Sequence, residues 1–212
     1  MGKYQKGING SFRGLIGTAV GSKWNGIEYM RSRPARSGKP PSQKQRMQHA
    51  RFSLVQRFVS SMGSLFSFSF DGAGNGKSGA NIAFTQIYRN ALSGLYPTYG
   101  LDYAQALVSK GGLLNAGAPA ASAAGNGMIK VTWTDNSGVA YANATDKSII
   151  VVHCPGLQKS TYSLDGATRS SGLDTINVNA FTGKTVHTWL TFISDDEAEI
   201  ATSVYTGEVV VS

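Results

Sequence analysis

Cysteine, long apolar runs and, in the first third of the chain, acidic residues are scarce in this sequence. The single cysteine, Cys154, excludes an internal disulfide framework and a cysteine-rich zinc site. No apolar run approaches the length of a membrane span, and no secretory hydrophobic region is found. We therefore expect a chain that is cytoplasmic on synthesis, and that leaves the cell, if it does, within a virion or extracellular particle.

Basic residues dominate the front of the chain. Residues 1–70 hold 12 Lys and Arg against the single acid Glu28, whereas residues 71–212 hold 8 basic and 11 acidic residues. This asymmetry favours an anionic partner or an acidic surface on a neighbouring copy, with solubility alone as the plain alternative. The residues that we expect to contact an anionic partner or another subunit are Lys3, Lys6, Arg13, Lys23, Arg31, Arg33, Arg36, Lys39, Lys44, Arg46 and Arg51.

The N-terminal segment predicts an extended arm and a β-hairpin. Glycine recurs throughout residues 1–40 among isolated apolar residues, and this density disfavours a helix. In "VGSKWNGIEYMRSR", Asn25-Gly26 separates two alternating runs, which is the strongest short-range hairpin signal. We assign residues 1–41 to this basic, glycine-rich arm and hairpin.

Two helices are predicted within a helical region at residues 42–114. Apolar residues recur at three- and four-residue steps from about 42 to 66, and basic residues lie off that stripe. A second helix is expected from about 80 to 95. The run "DYAQALVSKG" fits either a strand or a short helix, because its periodicity does not separate the two.

The pattern changes after "NAGAPAASAAGNG", residues 115–127, which is small, uncharged and aperiodic and is typical of a linker. Short alternating segments separated by turn residues then fill residues 128–212. Their spacing favours an immunoglobulin-like or fibronectin type III-like β-sandwich with Trp133 and Trp189 in its core, one from each sheet. The predicted fold is α+β: an arm, a hairpin and two helices, followed by a C-terminal sandwich.

Distinctive motifs occur in both halves of the chain. "GINGSFRGLIGTAVGSKWNGIEYMRSRP" precedes "PPSQKQRMQHARFSLVQRFV", and "DKSIIVVHCP", "FTGKTVHTWLTFIS" and "SVYTGEVVV" follow downstream. With these motifs the chain resembles, over nearly its whole length, a family of uncharacterised proteins common in Bacteroidota. The resemblance implies this architecture and a non-enzymatic protein, and it brings no cofactor or catalytic residue.

The stretch "FSFSFDGAGNGKSGANIAF", residues 66–84, has the order of a strand, a phosphate-binding loop and a helix. However, Asp71 takes the place of the first glycine of such a loop, where its carboxylate would repel phosphate. Serines also alternate with the phenylalanines, whereas the strand before a phosphate loop is buried on both faces. We therefore interpret the stretch as a glycine-rich connection between helices and expect no nucleotide hydrolysis.

The histidines and the acidic turn do not predict a metal site. His153 and Cys154 are adjacent in a predicted strand, so their side chains point to opposite faces and cannot chelate one ion. His187 has no nearby acid or cysteine cluster. Residues 195–199 are rich in acids, but a solvated turn is a more common role for them than calcium binding. We predict no catalytic residue, no cofactor and no metal.

These observations favour a non-enzymatic structural protein, a homo-oligomeric subunit of a virion, filament or similar particle. Its basic arm would contact neighbouring subunits or an anionic partner, since an extended arm can add strands to the sheet of a neighbour. One alternative is a nucleic-acid-binding protein that uses the basic arm and the first helix. A third is a carbohydrate-binding or adhesive module that uses an exposed aromatic residue among Tyr141, Tyr162, Trp189 and Tyr205.

Overall fold

The computed structural model describes residues 2–3, 12–24, 26–35, 38–70 and 78–212, with the backbone alone for residues 2–3. The chain divides into two units, Met1–Ser42 and Gln43–Ser212. The architecture is mixed α and β, with antiparallel sheets in both units and the helices in the second. Among the described residues, no helix is long and apolar enough to cross a membrane.

A four-stranded antiparallel sheet forms the first unit. Its strands are β1 (Gly2–Lys3), β2 (Gly14–Ile16), β3 (Ala19–Trp24) and β4 (Ile27–Ser32), in the order β1-β4-β3-β2. The predicted hairpin is confirmed, because Trp24 pairs with Ile27 across a two-residue turn. Gly26 has a φ of +80° in that turn, a conformation that glycine adopts without steric cost.

The first predicted helix, residues 42–66, is two helices in the structure. They are α1 (Gln43–Ser60) and α2 (Gly63–Ser69). The Ser61 hydroxyl donates to the carbonyl of Phe58 at 2.7 Å and so satisfies one of the last carbonyls of α1. Gly63 follows at once, and glycine propagates a helix poorly. These two residues account for the break that the apolar periodicity alone does not reveal.

The alternating run that begins at Phe66 is helical as far as Ser69. Met62, Leu65, Phe66 and Phe70 recur at three- and four-residue steps and are all buried, so the helical period outweighs the alternation of Phe and Ser. The phosphate-loop reading requires a strand at this point, and the structure has α2 there instead. The interpretation as a connection between helices agrees with the structure on both sides, whereas residues 71–77 lie outside the described residues.

The second predicted helix is shorter than expected. α3 (Gly79–Asn90) ends before Leu95, and two short paired strands follow it, β5 (Leu92–Ser93) and β6 (Gly100–Leu101). Gly94 has a φ of +80° in their connection. The run "DYAQALVSKG" then forms turns, so neither a strand nor a short helix is correct for it.

Seven strands complete the second unit. Those are β7 (Gly117–Gly125), β8 (Met128–Thr134), β9 (Lys147–Cys154), β10 (Lys159–Ser163), β11 (Leu173–Asn177), β12 (Thr185–Ile193) and β13 (Val204–Val210). They form two antiparallel sheets, ordered β11-β8-β7 and β10-β9-β12-β13. Each alternating segment predicted after residue 127 is therefore a strand.

The predicted linker at residues 115–127 is wrong. Its residues 117–125 are strand β7, which pairs with β8. The two strands are joined by Asn126 and Gly127, whose φ angles of +52° and +68° are those of a tight hairpin turn. The alanines and glycines of β7 show no alternation of apolar and polar residues that would predict a strand. The Asn126-Gly127 pair, by contrast, is a hairpin signal in the sequence.

Two buried clusters divide the second unit into three layers. Residues of β9 and β12 alternate between them: Ile149, Val151 and Trp189 pack against the helices, whereas Ile150 and Leu190 pack against the sheet of β8. The predicted separation of a helical region at 42–114 from strands at 128–212 therefore needs correction. The helices bury their apolar stripes on the sheet that contains β9 and β12, and the division between units falls after Ser42.

Candidate functional site

One face of the N-terminal sheet carries most of its large apolar side chains. The register pairs Leu15 with Val20 across β2 and β3, and Trp24 with Ile27 across β3 and β4. Alternate residues of a strand point to the same side of a sheet. The face that this register defines holds Leu15, Val20, Trp24, Ile27 and Tyr29, which we call the apolar face, together with Ser22 and Arg31.

Three side chains of the apolar face are largely exposed. Leu15 is 53% exposed, Trp24 63% and Ile27 46%. On the other side of the same sheet, Phe12 lies so close to Gly21 that a side chain at position 21 would collide with it. Phe12 thus covers part of that side, where Ile16 is still 59% exposed, and the other side presents more of the large apolar groups to solvent. Such clusters mark interaction sites.

Basic residues are numerous around this sheet, whereas the first unit contains a single acidic residue, Glu28. The described side chains are all exposed: Arg13, Lys23, Arg31, Arg33 and Lys39. Lys23 lies 4.0 Å from Glu28 on the neighbouring strand. Lys3 is placed by its backbone opposite Tyr29, and Lys6 and Arg36 lie outside the described residues.

The remaining predicted basic contacts, Lys44, Arg46 and Arg51, lie on α1 in the second unit. The first two are exposed, whereas Arg51 is half-buried with its guanidinium 4.8 Å from the ring centre of Tyr99. This cation–π contact holds the cation against the loop between β5 and β6. The basic set predicted from sequence is therefore divided between the two units.

Sequence analysis missed an aromatic surface between α1 and α3. The ring centres of Phe52 and Phe84 lie 4.9 Å apart, and those of Phe84 and Tyr88 lie 5.7 Å apart and nearly parallel. The Tyr88 hydroxyl donates to the Gln48 side chain at 3.0 Å. We call Phe52, Phe84 and Tyr88 the aromatic seam. Its signal was the four-residue step from Phe84 to Tyr88, together with Phe52 lying beside the apolar stripe of α1.

The histidines lie as their strand positions predict. His153 faces the helices, where its ring centre is 4.8 Å from that of Phe58, and Cys154 faces the opposite sheet. His187 pairs with His153 in the register of β9 and β12, and its ring stacks on Tyr103 at 3.9 Å. Burial, with a smaller contribution from His187, lowers the pKa of His153 to about 4. Both imidazoles are thus neutral packing groups at pH 7.

The acidic turn after β12 is organised by hydrogen bonds. The Ser194 hydroxyl donates to Asp196 at 2.6 Å, and the amide of Glu199 donates to that hydroxyl at 2.9 Å. The Ser194 hydrogen bond, followed by the amide of Ala198, lowers the pKa of Asp196. Within the described part of the chain, no group of three or more His, Cys, Asp and Glu side chains is placed to hold a metal ion.

The aromatic residues named for a carbohydrate-binding face differ in exposure. Tyr141 is 81% exposed in the connection between β8 and β9, whereas Tyr162 and Tyr205 are half-buried. Trp189 is fully buried against the helices, so its inclusion among exposed aromatics is wrong. Trp133 and Trp189 are buried and belong to different sheets, as predicted, but only Trp133 lies between the two sheets, because Trp189 packs against the helices.

The comparison with known proteins identifies the family of the chain but no activity. Residues 11–207 match a family of unknown function, DUF6266. The chain belongs to DUF6266. Membership in DUF6266 confirms the resemblance to an uncharacterised family. No curated protein matches the chain.

A solved structure, the fn3 domain of the human collagen alpha-1(XX) chain, is similar to part of this DUF6266 chain. The similarity covers 48% of this chain and 89% of that domain, with 13% sequence identity and a TM-score of 0.33. A TM-score this low carries no argument about fold or function. The sites are therefore interpreted from their own geometry.

Proposed function

We propose that the chain is a non-enzymatic structural protein, a subunit of a virion, filament or similar particle, that assembles through its N-terminal sheet. The apolar face is the observation that carries the proposal, with Trp24 63% exposed beside the hairpin turn. A neighbouring subunit that covers this face would remove Leu15, Trp24 and Ile27 from water. The exposed basic residues around the sheet favour a neighbour whose surface is acidic.

The free energy available from the apolar face is modest. A large apolar side chain contributes about 1.5–3 kcal/mol when it is fully buried, and these three are already partly covered, so together they offer about 2–5 kcal/mol. Association costs at least about 4 kcal/mol in lost translational and rotational freedom. A single contact of this kind would be weak. A particle in which many copies repeat the contact is the setting in which it becomes stable.

We also infer that β7 to β13 form an immunoglobulin-like or fibronectin type III-like sandwich. The inference is supported by the strand orders β11-β8-β7 and β10-β9-β12-β13, and by the cluster that Trp133, Ile150 and Phe192 share between the two sheets. Sandwiches of this kind occur in many surface-exposed assemblies, which is an analogy at the level of fold.

Tryptophan fluorescence tests the proposed contact directly. Of the three tryptophans, Trp133 is 6% exposed and Trp189 is fully buried, so Trp24 should account for nearly all quenching by acrylamide. If the apolar face mediates assembly, the quenchable fraction falls as the protein concentration rises, and the emission shifts to shorter wavelength. Trp24→Phe is the control, since it should remove the concentration-dependent signal. Quenching of Trp24 that stays constant at every concentration would contradict the proposal.

A further inference from the structure

The aromatic seam lies on helices that carry no acidic residue. The three helices hold Lys44, Arg46, Arg51, Arg57 and Arg89, and none of them contains an aspartate or glutamate. Phe52 is 50% exposed, although it belongs to a helix that buries Val55 and Phe58. A large ring is therefore half in solvent on a helix whose charged residues are all basic.

Together with Lys44 and Gln48 of α1, the residues of the aromatic seam form an ordered row, which we call the track. Lys44, Gln48 and Phe52 recur at four-residue steps on α1, so they lie along one line of that helix. Tyr88 lies opposite Gln48 and Phe84 lies opposite Phe52, as the hydrogen bond and the ring contact require. Successive members on α1 are about 6 Å apart along the helix axis, because each residue adds about 1.5 Å and the members are four residues apart. The track thus places a cation, an amide with a phenol, and a pair of rings in sequence.

We propose that this track binds single-stranded nucleic acid. The cations would neutralise phosphates, and the half-exposed ring of Phe52 would stack on an unpaired base. A duplex fits less well, because its bases are already stacked on each other and present no free face to Phe52. An acidic peptide would satisfy the charges but leaves the exposed ring unexplained. The proposal stands on α1 and α3 alone and does not depend on assembly through the N-terminal sheet.

Arg51 adds positive charge near the track but is not assigned a phosphate contact. It lies over Tyr99, and its Nε is buried. Adjacent residues of a helix point about 100° apart, so Arg51 does not face the same way as Phe52. The phosphate contact is therefore assigned to Lys44, which lies on the same line of α1 as Phe52.

Fluorescence anisotropy of a labelled oligothymidine, about 20 nucleotides long so that it exceeds the site of a single-strand-binding domain, tests the proposal with the full-length protein. At about 50 mM salt the oligonucleotide should bind, and Phe52→Ala should weaken binding about tenfold. Phe52→Tyr, which keeps a ring, should bind like the wild type. Tyr141→Ala is the matched control, because it removes an exposed ring from a loop at 81% exposure and should leave affinity unchanged.

The salt dependence of the affinity tests the charged end of the track, Lys44, separately. Lys44→Gln should lower the slope of log affinity against log salt by about 0.7, the contribution of one phosphate contact in a single strand. Lys184→Gln, an exposed lysine outside the helices, should not. The proposal is overturned if the oligonucleotide does not bind, if Phe52→Ala binds like the wild type, or if a duplex or polyglutamate competes as well as the single strand. Failure of these tests leaves the quenching behaviour of Trp24 unaffected, so the two proposals fail separately.

Discussion

Arg169 and Asp146 form an ion pair in which both side chains are fully buried, with a guanidinium nitrogen 3.0 Å from the carboxylate. The same guanidinium donates to Asn136 at 2.9 Å and to the carbonyl of Leu114 at 2.8 Å, and lies 4.2 Å from the ring centre of Phe192. One side chain thus joins the segment before β7 to the connection between β8 and β9. Its donors are matched to acceptors, as a buried charge requires.

Removal of this cation should destabilise the second unit strongly. Arg169→Met leaves the Asp146 carboxylate buried without its counter-charge, which costs about 3–5 kcal/mol in free energy of unfolding. Urea denaturation measures the loss. Lys147→Met is the matched control, because the Lys147–Asp165 pair is exposed and removing it should cost much less than removing the buried pair. Equal losses in the two variants would show that the buried pair has no special role.

Stability should fall between about pH 6.5 and pH 4. The pKa of His153 is about 4 in the folded chain and 6.5 when unperturbed. Between these two pH values His153 is therefore protonated in the unfolded chain and neutral in the folded chain. The free energy of unfolding therefore decreases by about 3 kcal/mol as the pH falls through the window, and His187, whose pKa burial also lowers, adds to the loss.

Urea denaturation at several pH values checks this dependence. His153→Gln should flatten it, since a neutral side chain binds no proton. A profile that is the same for wild type and His153→Gln would contradict the assignment to His153.

The turn between β7 and β8 should tolerate no side chain at its second position. Gly127 has a φ of +68°, and an added Cβ would collide with the side chain of Asn179. Gly138 has a φ of +83° but open space around it. Gly138→Ala should therefore cost about 1 kcal/mol from backbone strain alone, and Gly127→Ala clearly more. Thermal denaturation compares the two variants, and similar melting temperatures would rule out the collision with Asn179.

Local signals predicted a large part of the fold. Asn25-Gly26 specified the hairpin of the first unit because a two-residue turn with positive φ needs such residues. The segment around Ile149 to Val152 is strand β9 as predicted, but it is a continuous apolar run and not an alternating one, because helices cover one face of the strand and a sheet covers the other. Trp133 and Trp189 were placed in the core because large rings on alternating strands need a covered face.

Other features depend on contacts between distant residues. β7 contains only small residues from Gly117 to Gly125, so its strand character comes from pairing with β8 and not from apolar alternation. The break after Ser60 depends on a hydroxyl that turns back to the preceding helix. The aromatic seam requires α1 and α3 to lie side by side, which brings Phe52 to Phe84 across 32 positions of sequence that no local pattern connects.

The molecular mass in solution tests assembly through the apolar face most directly. Light scattering during size-exclusion chromatography, at about 50 mM and about 500 mM salt, should show a concentration-dependent large species that persists at high salt, since apolar contacts are not screened as phosphate contacts are. Trp24→Thr with Ile27→Thr keeps strand-favouring residues and should abolish that species. Val210→Thr, which removes a side chain 61% exposed on β13, should assemble like the wild type. A large species that survives in the Trp24 and Ile27 double variant, or a wild-type monomer at every concentration, would contradict the account.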